Sequence, residues 1–598
     1  MYKKIIFSCL AGILAYGLWL SADFTQIAAG VAIFLFGMLS LEQGFKAFTG
    51  GLLEKILKNT TNTLSKSLIF GVVSTTLMQS SSLVSVITIS FLSAGLLELM
   101  AGIGIVFGAN IGTTTGAWLI AGFGLKVKIS AYAMPMLVFG ILLIFQKSKY
   151  LKGVGYILAG LGFLFLGIHY MKDGFEAFKD TIDLTQFSVT GYPGLFLFAG
   201  IGIAATVIMQ SSHATLVLII TALAAGQISY ENALALAIGA NVGTTITAIL
   251  GALGANEQGK RLAAAHLIFN MVTGLLAVIF MAQFVFAVDS VSEIVGIAPD
   301  DYTLKLAVFH TLFNLLGVIV MLPFASKLVV FLERTIRGTA KDVDAPVYLL
   351  KSALEFPDTA VEAVRNETLH VFENAFEIIA RGICISPETV KQDVPVEQVV
   401  YDSVRANDYD MESVYENRIK VLFGEIVLFI TKVDFNWEAD QSGRIHWLRV
   451  ANQKLVEAVK DTKHLRTNLV PGITSQNIHI RHLYNAMRVQ IITILRELLE
   501  ASKSGENSSE LLSMDALKLL VIDNEKERQD QVANWLRKGS ITPAMGTSVL
   551  NDSSYTLDVC KCLIEFGESL FVGKDKDTAF IQREVALLPR EIDEIRSR

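Results

Sequence analysis

Met78-Gln79-Ser80-Ser81 recurs as Met209-Gln210-Ser211-Ser212, 131 positions later. At the same offset Gly108-Ala109-Asn110-Ile111-Gly112-Thr113-Thr114 recurs as Gly239-Ala240-Asn241-Val242-Gly243-Thr244-Thr245. Upstream, Gly44-Phe45-Lys46-Ala47-Phe48 matches Gly174-Phe175-Glu176-Ala177-Phe178 at an offset of 130. Seven-residue blocks that differ at one position, in register with a second block, mark an internal repeat. A repeat settles the architecture before any single element does.

The repeat lies in the oily part of a divided chain. Of 598 residues, 52% are hydrophobic and 18% charged, with a net charge of −6. Residues 1–340 hold 34 Lys, Arg, Asp and Glu (19 basic, 15 acidic), whereas residues 341–598 hold 72 (31 basic, 41 acidic). That pattern excludes a disordered chain, and neither part has the basic excess of a nucleic-acid binder. We read a transmembrane domain over 1–337, a linker over 338–358 and a soluble helical domain over 359–598.

Working outward from the two Gln-Ser clusters, no charge occurs between Lys66 and Glu98, between Glu98 and Lys126, or in the 47 residues between Asp183 and Glu231. A helix needs about 20 apolar residues to cross the hydrocarbon core. Full spans are expected at about 4–22, 25–48, 99–121, 129–146, 153–171, 232–254, 262–288 and 304–326. The stretches 67–97 and 194–228 are split by the polar clusters into arms of roughly 12–17 residues, which suit re-entrant hairpins. Residues 1–22 also have the basic start and apolar core of a signal peptide, but Leu20 is large for a cleavage site, so the segment is read as a span.

The positive-inside rule orients this layout. With Lys3 and Lys4 inside and both split stretches returning to their own side, Lys55, Lys58, Lys66, Lys147, Lys149, Lys152, Lys260, Arg261, Lys327, Arg334 and Arg337 all fall inside. Only Lys126 and Lys128 oppose it. The C-terminal domain is then cytoplasmic. Its cysteines agree, since Cys384 is alone and Cys560 and Cys562 are too close for a usual disulfide. Repeat one (about 25–146) enters its hairpin from the inside and repeat two (about 153–288) from the outside, with an extra span at about 304–326. Inverted repeats with broken helices at the midplane are the pattern of secondary transporters.

The repeated motifs are free of charge, so an anion there must be held by neutral donors. Gln79, Ser80, Ser81 and Ser82, with Gln210, Ser211, Ser212 and His213, supply hydroxyls, amides and the free N–H groups of a half-helix N-terminus. Asn110, Thr113, Thr114, Asn241, Thr244 and Thr245 supply neutral oxygens for a cation, with carbonyls of a helix that the glycines allow to break. The competing reading is close helix packing by small residues, which fits any one Ser or Thr alone. Both motifs together, repeated in inverted register, favour a site. His213 stands where the first repeat has Ser82; a satisfied buried histidine, a ligand contact and a proton-coupling role all remain open. His266-x-x-Phe269-Asn270 and His310-x-x-Phe313-Asn314 read as interhelical contacts.

Over about residues 25–330 these motifs resemble the type II sodium–phosphate cotransporter family, whose inverted halves each carry a Gln-Ser-Ser-Ser motif. Gln79–Ser82 matches in full; Gln210–Ser212 matches and His213 departs. The resemblance implies that the two tips bind inorganic phosphate, with sodium as coupling ion beside them and no other cofactor. The charged remainder reads as helices at about 359–383, 397–432, 437–466, 476–502, 508–538 and 547–571, divided into two groups of three at Pro471-Gly472. It is similar to the PhoU-like domain fused to bacterial members, which implies a metal role for Asp408, Asp410 and Glu412; a solvated helix face is the competing reading.

The expected fold is therefore all-α: a polytopic membrane domain of inverted repeats, about eight spans plus two hairpins, and a cytoplasmic helical bundle. No nucleophile–base constellation or Gly-rich phosphate loop points to an enzyme. The expected function is sodium-coupled phosphate transport across the plasma membrane. A phosphate exporter, a related oxyanion carrier and a non-transporting phosphate sensor are the alternatives. The oligomeric state is left open, a homo-oligomer included.

Overall fold

A computed structural model describes residues 12, 14–49, 61, 63–125, 130–179, 186, 188–337, 345–350, 353–354, 357–403, 405, 408–433, 439–503 and 509–571. Among these every regular element is helical. The chain divides into two compact units, Met1–Gly338 with Leu350–Ser352, and Thr339–Leu349 with Ala353–Arg598.

The first unit comprises α1 (Ala22–Thr49), α2 (Leu64–Met78), α3 (Ser81–Ser93), α4 (Leu99–Gly112), α5 (Thr114–Trp118), α6 (Ser130–Ile144), α7 (Lys149–Lys179), α8 (Gly191–Met209), α9 (Ser212–Ala224), α10 (Tyr230–Gly243), α11 (Thr245–Ala252), α12 (Glu257–Ile279), α13 (Met281–Ile294), α14 (Tyr302–Met321) and α15 (Ala325–Thr335). Seven described helical stretches are long and apolar enough to cross a membrane. They include six of the eight expected spans, and also α8, which at 19 residues is longer than the hairpin arm expected there. The expected span 129–146 appears as a shorter apolar helix, and most of 4–22 lies outside the described residues. The expected span 262–288 is two helices, interrupted at Phe280.

The burial pattern fits a lipid solvent. On α2 the large residues Ile69, Val73 and Leu77 are exposed, while Gly71, Ser74, Thr75 and Met78 are buried. Small and polar groups face inward because lipid tails give Leu no reason to hide. This is a multi-pass membrane protein.

Glycines bring the helix backbones together. A Cβ on Gly71 would fall on the carbonyl of Ile105, and one on Gly108 on that of Leu68, so α2 and α4 touch backbone to backbone. The second repeat does the same 131 positions on: Gly202 meets the carbonyl of Leu236, and Gly239 that of Ala199, joining α8 to α10. The motif glycines Gly108 and Gly239 therefore set helix contact rather than a break.

The second unit contains α16 (Pro357–Gly382), α17 (Pro387–Val390), α18 (Val396–Asp402), α19 (Met411–Val414), α20 (Lys420–Lys432), α21 (Ala439–Ile473), α22 (Ile478–Lys503), α23 (Ser509–Arg537) and α24 (Pro543–Phe571). The helix expected over 397–432 is interrupted between Asp402 and Met411. Arg488 of α22, fully buried, ties the end of α18 to the segment after α16: its guanidinium donates to the carbonyls of Ile383 (2.9 Å), Cys384 (3.1 Å), Val400 (3.3 Å) and Ser403 (2.7 Å). Pro471 lies inside α21, so the division expected at Pro471-Gly472 falls just after Ile473.

Candidate functional site

Both Gln-Ser clusters fold the same way. Gln79 ends α2 in the left-handed region (φ 52°), and Gln210 ends α8 there too (φ 54°). The conformation is uncommon for a residue with a side chain and costs roughly 1–2 kcal/mol. The next residue starts a new helix as its cap: Ser80 Oγ accepts from the N–H of Leu83 (3.2 Å), and Ser211 Oγ from that of Ala214 (3.1 Å). Each apolar stretch is thus two helices joined by two residues. The N-termini of α3 and α9 begin at the polar cluster, where first-turn N–H groups lack intrahelical partners and the helix dipole favours negative charge. Ser81 and His213 are buried; Gln79, Ser80, Ser82, Ser211 and Ser212 are partly so, and Gln210 is exposed.

The clusters meet the opposite repeat at matching positions. Ser82 Oγ lies 3.1 Å from Thr247 Oγ1 on α11. At 131 positions from each partner, His213 sits against Gly116 on α5: a Cβ there would run into the imidazole and stand 2.9 Å from Gln79 Oε1. The side-chain volumes are exchanged. A small serine meets a threonine in one contact, and a large imidazole meets a glycine in the other. His213 also stacks on Phe34 of α1, ring centroids 5.8 Å apart. Gln79 Nε2 donates to the carbonyl of Thr76 (2.6 Å) and to Thr115 Oγ1 (3.3 Å).

Beside His213 lies a small cavity lined by Thr113, Ser212, His213, Asn241 and His310, with Leu216, Ala237 and Ala240; of the two Gln-Ser clusters only Ser212 and His213 reach it. It has room for about one water-sized particle. His310 Nδ1 is buried there without a partner.

The sequence signature described as Na+/Pi-cotransporter matches residues 33–173 and 189–298, which hold both clusters and both Gly-Ala-Asn motifs. The membrane unit belongs to the Na+/Pi-cotransporter family. Relatives include the "Putative inorganic phosphate export protein YjbB" of Escherichia coli (strain K12), 27% identical over 370 residues, 60% of this chain and 64% of that one. The protein of that name in Salmonella typhimurium matches to the same extent. "Uncharacterized protein YqeW" of Bacillus subtilis (strain 168) is 29% identical over 306 residues, 50% of this chain and 94% of that one. The chain thus spans 64% of the length of the YjbB proteins it matches. No solved structure matches it.

Within this Na+/Pi-cotransporter family unit, the Gly-Ala-Asn motifs depart from the expected broken helix. The helix is interrupted only at Thr113 and Thr244, both with right-handed backbone (φ −62° and −58°). The threonine hydroxyls turn back onto their own helices: Thr113 to the carbonyl of Asn110 (2.6 Å), Thr114 to Ile111 (2.8 Å), Thr244 to Ala240 (3.1 Å) and Thr245 to Val242 (2.8 Å). Such back-bonding leaves the oxygen lone pairs available while orienting them. Of the six expected cation ligands, the cavity brings Thr113 and Asn241 together.

The two asparagines differ. Asn110 Nδ2 donates to the carbonyl of Val106 in its own helix (2.9 Å). Asn241 Nδ2 donates to Asn270 Oδ1 (3.2 Å) and Asn314 Oδ1 (2.8 Å), joining α10, α12 and α14 in a buried hub. The two His-x-x-Phe-Asn motifs meet here. Gly116, Thr247 and Thr115 were missed from sequence, although Gly116 and Thr247 stand at the repeat offset from one another.

In the second unit the expected acidic trio does not form a cluster. Asp410 caps α19 by accepting from the N–H of Ser413 (3.0 Å), Glu412 pairs with Lys463, and Asp408 is exposed. The interruption after Asp402 moves all three off a common helix face. Among the described residues no three His, Cys, Asp or Glu side chains are placed to hold a metal ion.

Proposed function

We propose that this chain carries inorganic phosphate across the plasma membrane, coupled to sodium. The carrying observation is the doubled break. Two left-handed glutamines each hand over to a serine-capped helix, and each cluster contacts the opposite repeat, Ser82 at Thr247 and His213 at Gly116. In this reading the first-turn N–H groups and hydroxyls of Gln79, Ser80, Ser81, Ser82, Gln210, Ser211, Ser212 and His213 take the phosphate oxygens. Asn110, Thr113, Thr114, Asn241, Thr244 and Thr245 supply oxygens to sodium. The two repeats lie inverted in the bilayer and expose the shared site to alternate sides. A cation beside the anion lowers the desolvation cost of each, which is the physical basis for moving them together. The chain acts as a carrier and not as an enzyme. Its helical unit is a cytoplasmic, PhoU-like regulator.

Net export is the second reading, favoured by the name of the YjbB relatives. Flux of labelled phosphate in proteoliposomes, with a sodium gradient imposed in either direction, separates the readings. Sodium-driven flux supports coupling, and flux indifferent to sodium removes it. Phosphate binding without flux makes the protein a sensor. The same assay on a chain ending at Arg337 reports what the helical unit contributes.

A further inference from the structure

The asparagine hub of the first unit has a direction. Asn270 Nδ2 donates to the carbonyl of His266 (3.2 Å), and Asn314 Nδ2 to that of His310 (2.8 Å), each within its own helix. A carbonyl needs a donor, so these bonds fix which end of each carboxamide is nitrogen. Both asparagines therefore offer Oδ1 to Asn241, and both oxygens accept from Asn241 Nδ2, at 3.2 Å and 2.8 Å. A primary amide has two N–H groups, and Asn241 has spent both.

That direction decides what Asn241 shows the cavity. Asn241 lines the cavity, and Asn270 and Asn314 do not. With Nδ2 held by those two, Oδ1 is the end left for the cavity. Among the described residues nothing donates to Oδ1, yet the atom keeps accessible surface, unlike the sealed Nδ1 of His310. Thr113, from the other repeat, is also an acceptor, because its hydroxyl proton is spent on the carbonyl of Asn110 (2.6 Å). Two uncharged oxygens, one from each repeat, thus line a space for one water-sized particle, too small for phosphate. Turned over, the same carboxamide would put its N–H groups into that space, where they would repel a cation.

Given the sodium-coupled reading above, we infer that Asn270 and Asn314 are positioning residues for sodium. They hold the Asn241 carboxamide with its oxygen toward the cavity, and so set the sign of the ion that the cavity accepts. Neither touches the ion; each acts through Asn241. Removing a group that orients a metal ligand typically costs about 10–100-fold in metal affinity.

The sodium-dependent rise in Tm of the full chain in detergent, without phosphate, measures the affinity, with potassium and choline as comparators. Asn270→Ala and Asn314→Ala each leave one tie and should weaken sodium binding about threefold. The double variant frees the carboxamide and should weaken it by about tenfold or more. Adding Asn241→Asp to the double variant should bring sodium affinity back to within about threefold of native, because a carboxylate presents oxygen whichever way it turns. A purely structural hub gives the opposite result, since a third substitution only loosens it further. If the double variant does not fold, Asn314→Ala and Asn314→Ala/Asn241→Asp repeat the test on the shorter tie; loss and recovery are expected, and no change in either overturns the proposal. Sodium affinity kept in the folded double variant, or a loss that the carboxylate leaves unrepaired, overturns the positioning role and leaves sodium coupling in place. A native chain with no sodium response removes the coupled reading itself, and the positioning role with it.

Discussion

The imidazole of His213 fills the space that a side chain at Gly116 would need, and this contact is the size-exchanged counterpart of Ser82 against Thr247. The pairing accounts for the one departure of the second Gln-Ser cluster from the first. It also makes a direct experiment. Gly116→Thr alone overpacks the contact, at a cost of about 1–3 kcal/mol, and should abolish phosphate flux. Gly116→Thr with His213→Ser recreates the Ser82–Thr247 contact on the other side and should recover flux. A double variant as dead as the single one would show that His213 contributes more than volume.

The left-handed glutamines separate backbone from side chain. Gln79→Gly removes the amide but relieves the backbone, whereas Gln79→Ala removes the amide and keeps the strain. The glycine variant should therefore be the more stable by about 1 kcal/mol in thermal unfolding. Both variants should lose flux, because each lacks the amide that reaches Thr115. Flux retained in the glycine variant alone would assign Gln79 to backbone geometry only.

The asparagine pair makes opposite predictions from like letters. Asn241→Leu strands the acceptors of Asn270 and Asn314 in a buried hub and should cost about 2–4 kcal/mol. Asn110→Leu loses one bond to its own helix and should cost about 1 kcal/mol. Equal losses in chemical unfolding would contradict the hub.

Buried thiols give the helical unit an alkaline limit. Burial pushes Cys560 and Cys562 up to about 12 from an ordinary value near 9. The unfolded chain releases these protons above pH 9 while the folded chain keeps them. The stability they carry is therefore complete below pH 9 and lost as pH rises toward 12. Unfolding free energy measured from pH 8 to 11 should fall, and Cys560→Ala/Cys562→Ala should flatten that fall. In the native chain at pH 8 both thiols should resist a thiol reagent and react on unfolding.

Arg488 tests the interruption after Asp402. Lysine keeps the charge but not the fork that reaches four carbonyls. Arg488→Lys should destabilise the helical unit by about 3 kcal/mol or more, read as a lower denaturant midpoint.

What was legible in the sequence follows from how local its cause is. The duplicated clusters, the breaks at Gln79 and Gln210 and the serine caps are local, because polar residues inside an apolar run permit little else. The helices of the second unit were legible from their apolar stripes, Ile480 to Leu498 above all. The interruption between Asp402 and Met411 was not, because the carbonyl of Ser403, where it begins, is satisfied by an arginine from α22, more than eighty positions away. The acidic trio was misplaced for the same reason. The unequal roles of Asn110 and Asn241 were equally hidden. Each lies in the same seven-residue frame, and the difference comes from Asn270 and Asn314, which lie elsewhere.

That inequality reaches beyond the site. Substitution scanning at position 241 would report intolerance, and the natural inference would be ligand chemistry. Yet Asn241 both lines the cavity and ties three helices together, whereas Asn110 is bonded to its own helix, so intolerance at 241 would mix a structural role with a ligand role. In a duplicated membrane unit, sensitivity to mutation at one copy does not by itself assign that copy a ligand.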